Sequence, residues 1–242
     1  MLVLAVAAGA VAAGARPAGG AGTLELRAYL ARGGHVSPVR RVVPATTGVA
    51  RAALAELLAG PTAAERRSGY SSAVPSGTRL LGIALAGGIA AVDLTRPFGS
   101  AGRLGVAQIV YTATQFPTVR RVAISVQGRP FRAASGRASF ERETPPILVE
   151  RPLPGDTVHG TLFVAGTANV FEARLVVDLR GTGGRLLARR FVMATSGTGT
   201  RGTFSTSIPL GMRRGGLTVV AYVNSAKDGR PIDIVRVPVA AR

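Results

Sequence analysis

The chain has 242 residues and a formal net charge of +18, with 30 Lys and Arg against 12 Asp and Glu, 47% hydrophobic content and no cysteine. That length suits two ordinary domains, and the apolar content excludes wholesale disorder. The missing cysteine excludes disulfides, thiolate metal sites, a cysteine nucleophile and a Cys-linked lipid anchor.

At the amino terminus, Met1 to Ala15 is apolar and uncharged, yet shorter than the roughly 20 residues that span a bilayer. It suits the apolar core of a secretory signal, with Ala13-Gly14-Ala15 as a small-residue cleavage pattern, although the positive leading region is missing. Either the start lies inside a longer signal or anchor, or this is a nonpolar core helix. Residues 1–22 therefore read as a signal or truncated anchor followed by a Gly/Ala-rich linker.

The first domain, residues 23–132, opens with Leu24, Leu26, Ala28 and Leu30 alternating with Glu25, Arg27 and Tyr29, a half-buried strand. Val36 to Val43 is an edge segment, demoted by Pro38 and Pro44. Thr46 or Thr47 offers an N-cap for a helix over Val49 to Ala59. Gly60-Pro61 stops that helix, because glycine takes a left-handed C-cap and proline cannot continue. Thr62 to Glu65 has capping-box spacing for a second short helix, which Gly69 closes. Val74-Pro75-Ser76-Gly77-Thr78 then turns the chain into a strand at Leu80 to Leu85. Gly87-Gly88 is a hairpin signal leading to Ile89 to Leu94. Leu104, Ala107, Val110, Tyr111 and Thr114 mark a further helix that ends before Pro117, and Val122, Ile124 and Val126 mark a last strand. The order predicts an α+β domain, a mixed sheet with two helices on one face.

These motifs, together with Val92-Asp93-Leu94, Gln108 to Thr112, Gln115-Phe116-Pro117 and Val119 to Gly128, resemble the GerMN family of spore-germination and sporulation proteins. The resemblance spans about Leu24 to Arg132. It marks Gly60, Pro61, Glu65, Pro75, Asp93, Gln108, Thr112 and Gly128 as family-motif positions with structural roles.

Residues 133–145 are polar, end at Pro145-Pro146 and read as a linker, in which Glu141 and Glu143 are solvated. Over 146–242 the pattern changes to strands alone. Phe171 to Leu179 alternates, interrupted by Val176, and six further segments bring the count to seven strands with Gly-rich turns, an immunoglobulin-like β-sandwich. Pro152 to Gly155, the run from Val164 to Ala173, and Gly202-Thr203-Phe204 are similar to the Gmad2 immunoglobulin-like domain that accompanies GerMN domains. Gly166, Phe171 and Glu172 are its motif positions.

Catalytic chemistry finds no support in the sequence. The two histidines, His35 and His159, fall one per domain beside turn residues, with no Gly-x-Ser-x-Gly elbow. No His-x-x-x-His or carboxylate cluster suggests a metal, and Gly-rich turns lack a Walker lysine. Asp93 and Gln108 read as structural hydrogen-bonding groups, as do Asn169 and Glu172. The expectation is therefore no catalytic residue, no cofactor and no metal, in a binding or scaffold protein outside the cytoplasm; the family resemblance implies that it acts in sporulation, germination or a related envelope process. Its arginines are dispersed in pairs, and with 5% aromatics and no Trp they favour envelope proteins or anionic wall and membrane surfaces over nucleic acid. Arg120 and Arg121 are the candidate contact with such a surface. A wall-polysaccharide or peptidoglycan enzyme is the alternative, and nucleic-acid binding a weaker one.

Overall fold

The computed structural model describes residues 22–242; the signal or anchor reading lies outside them. The first domain runs β1 (Thr23–Arg32), β2 (His35–Pro44), α1 (Val49–Ala59), α2 (Ala63–Arg67), β3 (Tyr70–Ser71), β4 (Leu80–Ala86), β5 (Ile89–Leu94), α3 (Arg103–Ala113), β6 (Arg121–Val126) and β7 (Arg129–Ser135). Its strands divide into two ladders, β2-β1-β3 and β4-β5-β6-β7, in which only β5 and β6 run parallel. One hydrophobic core joins Tyr29 and Leu30 of β1, Leu54 and Leu57 of α1, Val92 of β5, Val110 of α3 and Ile124 of β6.

Local signals set most of these elements. Gly60 has φ +77° and donates to the Leu57 carbonyl, ending α1. Thr62 and Glu65 form both halves of the capping box that starts α2. Gly87 and Gly88 both have positive φ, as do Gln127 and Gly128, so each pair makes a tight hairpin turn matched to strand twist. The cap of α1 differs from expectation. Gly48 is the N-cap residue without a side-chain bond, and the Thr46 hydroxyl instead accepts from the Gly48 N–H at 3.1 Å.

Two larger differences concern cover. Every residue of α3 from Gly105 to Ala113 is buried, and β1 is buried on both faces from Ala28 to Ala31, where alternation predicted a half-buried strand. The extra cover comes in part from the stretch expected to be a linker. Residues after the Gln127-Gly128 turn form β7 against β6, and Arg137–Glu143 coils as a 3₁₀ segment against α3. Phe140 within it is wholly buried.

The second domain comprises β8 (Ile147–Arg151), β9 (Thr157–Val158), β10 (Thr161–Ala168), β11 (Arg174–Arg180), β12 (Leu186–Met193), β13 (Gly202–Pro209), β14 (Gly215–Asn224) and β15 (Pro231–Ala241). It is a sandwich of a three-stranded sheet, β13-β10-β8, and a five-stranded sheet, β12-β11-β14-β15-β9. The inward side chains Leu162, Val164, Leu175, Val177, Leu179, Val219 and Ala221 fill the space between them. The two-residue β9 adds an eighth strand, pairing parallel to β15. Phe171–Ala173 is a turn instead of the start of a strand: Ala173 donates to the Val170 carbonyl, Glu172 has φ +52°, and Phe171 is exposed.

Candidate functional site

The polar residues of α3 complete the edge of β1. Gln108 Nε2 donates to the Tyr29 carbonyl at 2.9 Å, and Thr112 Oγ1 accepts from the Tyr29 N–H at 3.0 Å. Gln115 Oε1 accepts from the Arg27 N–H at 2.8 Å, while its Nε2 donates to the Arg27 carbonyl at 2.7 Å. Gln108 and Thr112, four residues apart, share one face of α3, and Gln115 follows in the turn just past its end; together the three replace a neighbouring strand. Buried backbone groups left unpaired would each cost about 1–3 kcal/mol. This also explains why the ladders do not merge: the β1 edge is already occupied by α3 and by β3.

The other motif positions are held by similar bonds. Glu65 accepts from Nη1 and Nη2 of Arg41, at 2.6 and 2.9 Å, and from the Thr62 N–H. Burial alone would raise its carboxyl; the Arg41 hydrogen bond and charge outweigh that and hold it below the usual glutamate range. The Pro61 carbonyl accepts from Arg66, and the Pro75 carbonyl from Thr78 Oγ1 at 2.7 Å. Asp93 accepts from Ser125 Oγ and the Gly128 N–H, both at 2.9 Å, tying β5 to the β6–β7 turn. Gly166 lies at the β10 bulge, where an added Cβ would meet the Leu148 carbonyl at 1.9 Å. Glu172 makes a loose ion pair with Arg174 at 3.6 Å.

Residues that sequence reading passed over join the two domains. Arg137 donates to Glu150 of β8 at 2.9 Å, to Thr114 Oγ1 at 2.9 Å and to the Tyr111 carbonyl at 3.3 Å. Its guanidinium lies 4.6 Å from the Tyr111 ring centroid and 5.2 Å from that of Tyr29. The Tyr29 hydroxyl donates to Glu150. Burial, then the Glu150 charge, pushes the Tyr29 phenol well above its ordinary range. Burial opposes ionisation of Glu150 too, but the Arg137 charge and the hydrogen bonds prevail and lower it. Leu148 of β8 belongs to the first domain's core. The only sequence signal for this seam was an Arg in a stretch otherwise read as linker.

Glu141 and Glu143, expected to be solvated, are engaged in opposite directions. Glu141 binds Arg201 at 2.8 Å and Asn169 at 2.9 Å, and buried Glu143 binds Arg103 at 2.7 Å. Both were drawn in because the 3₁₀ segment that carries them packs on α3. In the second domain, wholly buried Asp178 takes Arg189 at 2.7 Å and Arg180 at 2.8 Å.

Ten of the 12 carboxylates therefore lie in ion pairs with arginine: Glu25, Glu56, Glu65, Glu141, Glu143, Glu150, Asp156, Glu172, Asp178 and Asp228. A cleft of about 540 Å³ at the seam contains Arg27, Arg40, Glu150, Asp156, His159 and Phe163. Its two named carboxylates are held by Arg137 and Arg40, and His159 Nδ1 meets the Arg242 carbonyl at 3.2 Å. No group of three metal-ligating side chains occurs among the described residues. Arg120 and Arg121 stay exposed beside the Gly87-Gly88 turn, where Arg120 donates to the Gly87 carbonyl at 3.3 Å.

Fold and side chains together define a two-domain module: an α+β domain locked to an immunoglobulin-like sandwich. Residues 28–132 match the family model described as sporulation and spore germination, and residues 146–230 match the immunoglobulin-like domain of bacterial spore germination. The chain is thus a GerMN-type domain followed by a Gmad2 domain, and neither matched family is an enzyme family.

Among solved structures, the first GerMN domain of the sporulation protein GerM from Bacillus subtilis is 22% identical, with 44% of this chain and 85% of that one covered and a TM-score of 0.38. The tandem GerMN domains of the same protein are 14% identical, with 91% and 61% covered and a TM-score of 0.41. A putative lipoprotein from Clostridium perfringens is 16% identical, with 48% and 89% covered and a TM-score of 0.33. No curated protein matches the chain. Among the described residues no helix is long and apolar enough to cross a membrane.

Proposed function

We propose that this chain is a non-enzymatic binding and scaffold module that works outside the cytoplasm at the cell envelope, in sporulation, germination or a related process. The observation that carries the reading is the engagement of its acidic groups: ten of 12 carboxylates are neutralised by arginine. General acid–base work needs a carboxyl group free to exchange a proton with substrate. Ion-paired carboxylates instead stiffen a frame. The matched families support a sporulation or germination setting. The excess of arginine leaves a positive surface for anionic envelope material or for other envelope proteins.

Crosslinking in intact cells tests the reading. The expected product joins this chain to an envelope protein or polymer on the outer side of the membrane. Purified chain added to wall preparations should bind stably and release no fragments. Recovery only from the cytoplasm, or hydrolysis of the wall, would overturn it.

A further inference from the structure

The strands β2 and β12 each end a ladder, and the chain treats these two edges in opposite ways. Tyr29 aims its N–H and C=O groups at α3 and Arg27 aims its own at Gln115 just past that helix, so the even-numbered residues of β1 bond to β2. The register from Leu24↔Val43 to Arg32↔His35 then leaves Val36, Pro38, Arg40, Val42 and Pro44 facing outward. Two of those outward positions are prolines, which have no N–H to offer. That edge is closed to a further strand.

The β12 edge carries no such block. The Ala194 N–H bonds to the Ala173 carbonyl at 2.8 Å, and two-residue alternation along the unshifted part of the β11–β12 register turns the backbone groups of Arg189, Phe191 and Met193 outward, the Arg189 carbonyl accepting from the side chain of Arg190 at 3.0 Å. Leu186–Met193 contains no proline, and no other strand among the described residues pairs with its free side. Phe191 is 81% exposed, with Met193 and Phe171 each 64% exposed beside it. Together with Val176 and Ile232 they line an apolar groove of about 840 Å³. Arg190, exposed on the same strand, has no carboxylate partner among the described residues.

Charge decides the occupant. A second copy of this +18 chain would bring Arg190, which has no carboxylate partner among the described residues, into a strand pair with its own like, and like charges across a strand pair repel. We infer that β12 receives, as a sixth strand, an extended segment of a partner protein that alternates apolar and acidic side chains. Main-chain bonds to the outward groups hold it, its apolar side chains fill the groove by Phe191 and Met193, and its carboxylates meet Arg190 on the other face. Eight residues, about 27 Å, match the length of the edge. The inference rests on the binding-module reading above and names its partner's chemistry.

The test uses the full chain and a capped, fluorescent eight-residue peptide alternating valine and glutamate, with the valine and lysine version as control. Saturable binding of the glutamate peptide is expected, with the lysine peptide at least about tenfold weaker. Phe191→Pro, which removes one outward N–H as Pro38 does in β2, should weaken binding at least about tenfold, while its circular dichroism spectrum stays that of the parent. Should that variant fail to fold, Arg190→Glu supplies the test by reversing the preference toward the lysine peptide.

Equal binding of both peptides, binding indifferent to a folded Phe191→Pro or to Arg190→Glu, or Phe191-dependent binding to phosphatidylglycerol vesicles in place of peptide would overturn the assignment. In intact-cell crosslinking, capture of the same partner by parent and Phe191→Pro overturns the edge alone. Capture of nothing by either removes the binding-module reading itself.

Discussion

Gln108 Nε2 donates to the Tyr29 carbonyl at 2.9 Å, while its Oε1 accepts from the Ala73 N–H at 2.7 Å. One buried amide thus satisfies backbone from two segments that no strand pairs there. Gln108→Leu keeps the volume and orphans both groups, at about 1–3 kcal/mol each. The expected loss is about 2–6 kcal/mol in urea denaturation, with the slope unchanged. A loss under about 1 kcal/mol would mean that water reaches both groups.

The Tyr29–Glu150–Arg137 cluster predicts a pH dependence. Glu150 titrates below the ordinary glutamate value of about 4.3, because the Arg137 charge outweighs burial. Glu65, Glu141 and Asp178 are lowered against burial in the same way, by Arg41, Arg201 and Arg189. A carboxyl depressed in the folded state contributes stability above its unfolded pKa and loses it as the pH falls through the folded one. Stability should therefore be flat from neutral pH to about 5 and drop below about 4. Glu150→Gln leaves Arg137 without its counter-charge and should cost about 3 kcal/mol at pH 7. It should also shallow the acid slope and speed proteolysis between residues 136 and 146. An unchanged slope would count against Glu150 as one of its sources.

How far the sequence could be read depended on how local each signal was. The α1 stop at Gly60-Pro61, the Thr62–Glu65 box and the Gly87-Gly88 turn are written in neighbouring residues, and the structure has each of them. Tyr29 looked like the polar side of a half-buried strand because alternation registers one face only. Cover from α3 and β8 comes from residues more than 80 positions away. Likewise Glu141 and Glu143 looked solvated, and Arg137 part of a linker, because their partners Arg201, Arg103 and Glu150 are distant or lie in another domain. Phe171 failed differently: an apolar residue in register with a strand turned out to lie in a turn, exposed beside the groove.

Two glycines separate backbone strain from crowding. Gly128 has φ +75° with nothing within 4 Å of an added Cβ, so Gly128→Ala should cost about 1 kcal/mol through conformation alone. Gly166 has no such φ, but its Cβ would lie 1.9 Å from the Leu148 carbonyl. Gly166→Ala must push β8 from β10 and should cost about 3 kcal/mol or more. Thermal unfolding of the two variants would rank them. A reversed order would show that the β8–β10 bulge yields more readily than the β6–β7 turn.

Arg120 and Arg121 sit together at the β6 start, next to the Gly87-Gly88 turn and without carboxylate partners among the described residues. If this corner meets anionic envelope material, Arg120→Glu with Arg121→Glu should weaken retention on such material about tenfold at low salt. The difference should shrink near 0.5 M salt, as screening shortens the reach of exposed charges. The same charge change at Arg213 and Arg214, where Arg213 bonds to the Leu210 carbonyl at 3.0 Å, separates local contact from net charge. Equal losses for both pairs would assign retention to the +18 total. Salt-independent retention unchanged by Arg120→Glu and Arg121→Glu would remove this corner from the binding surface.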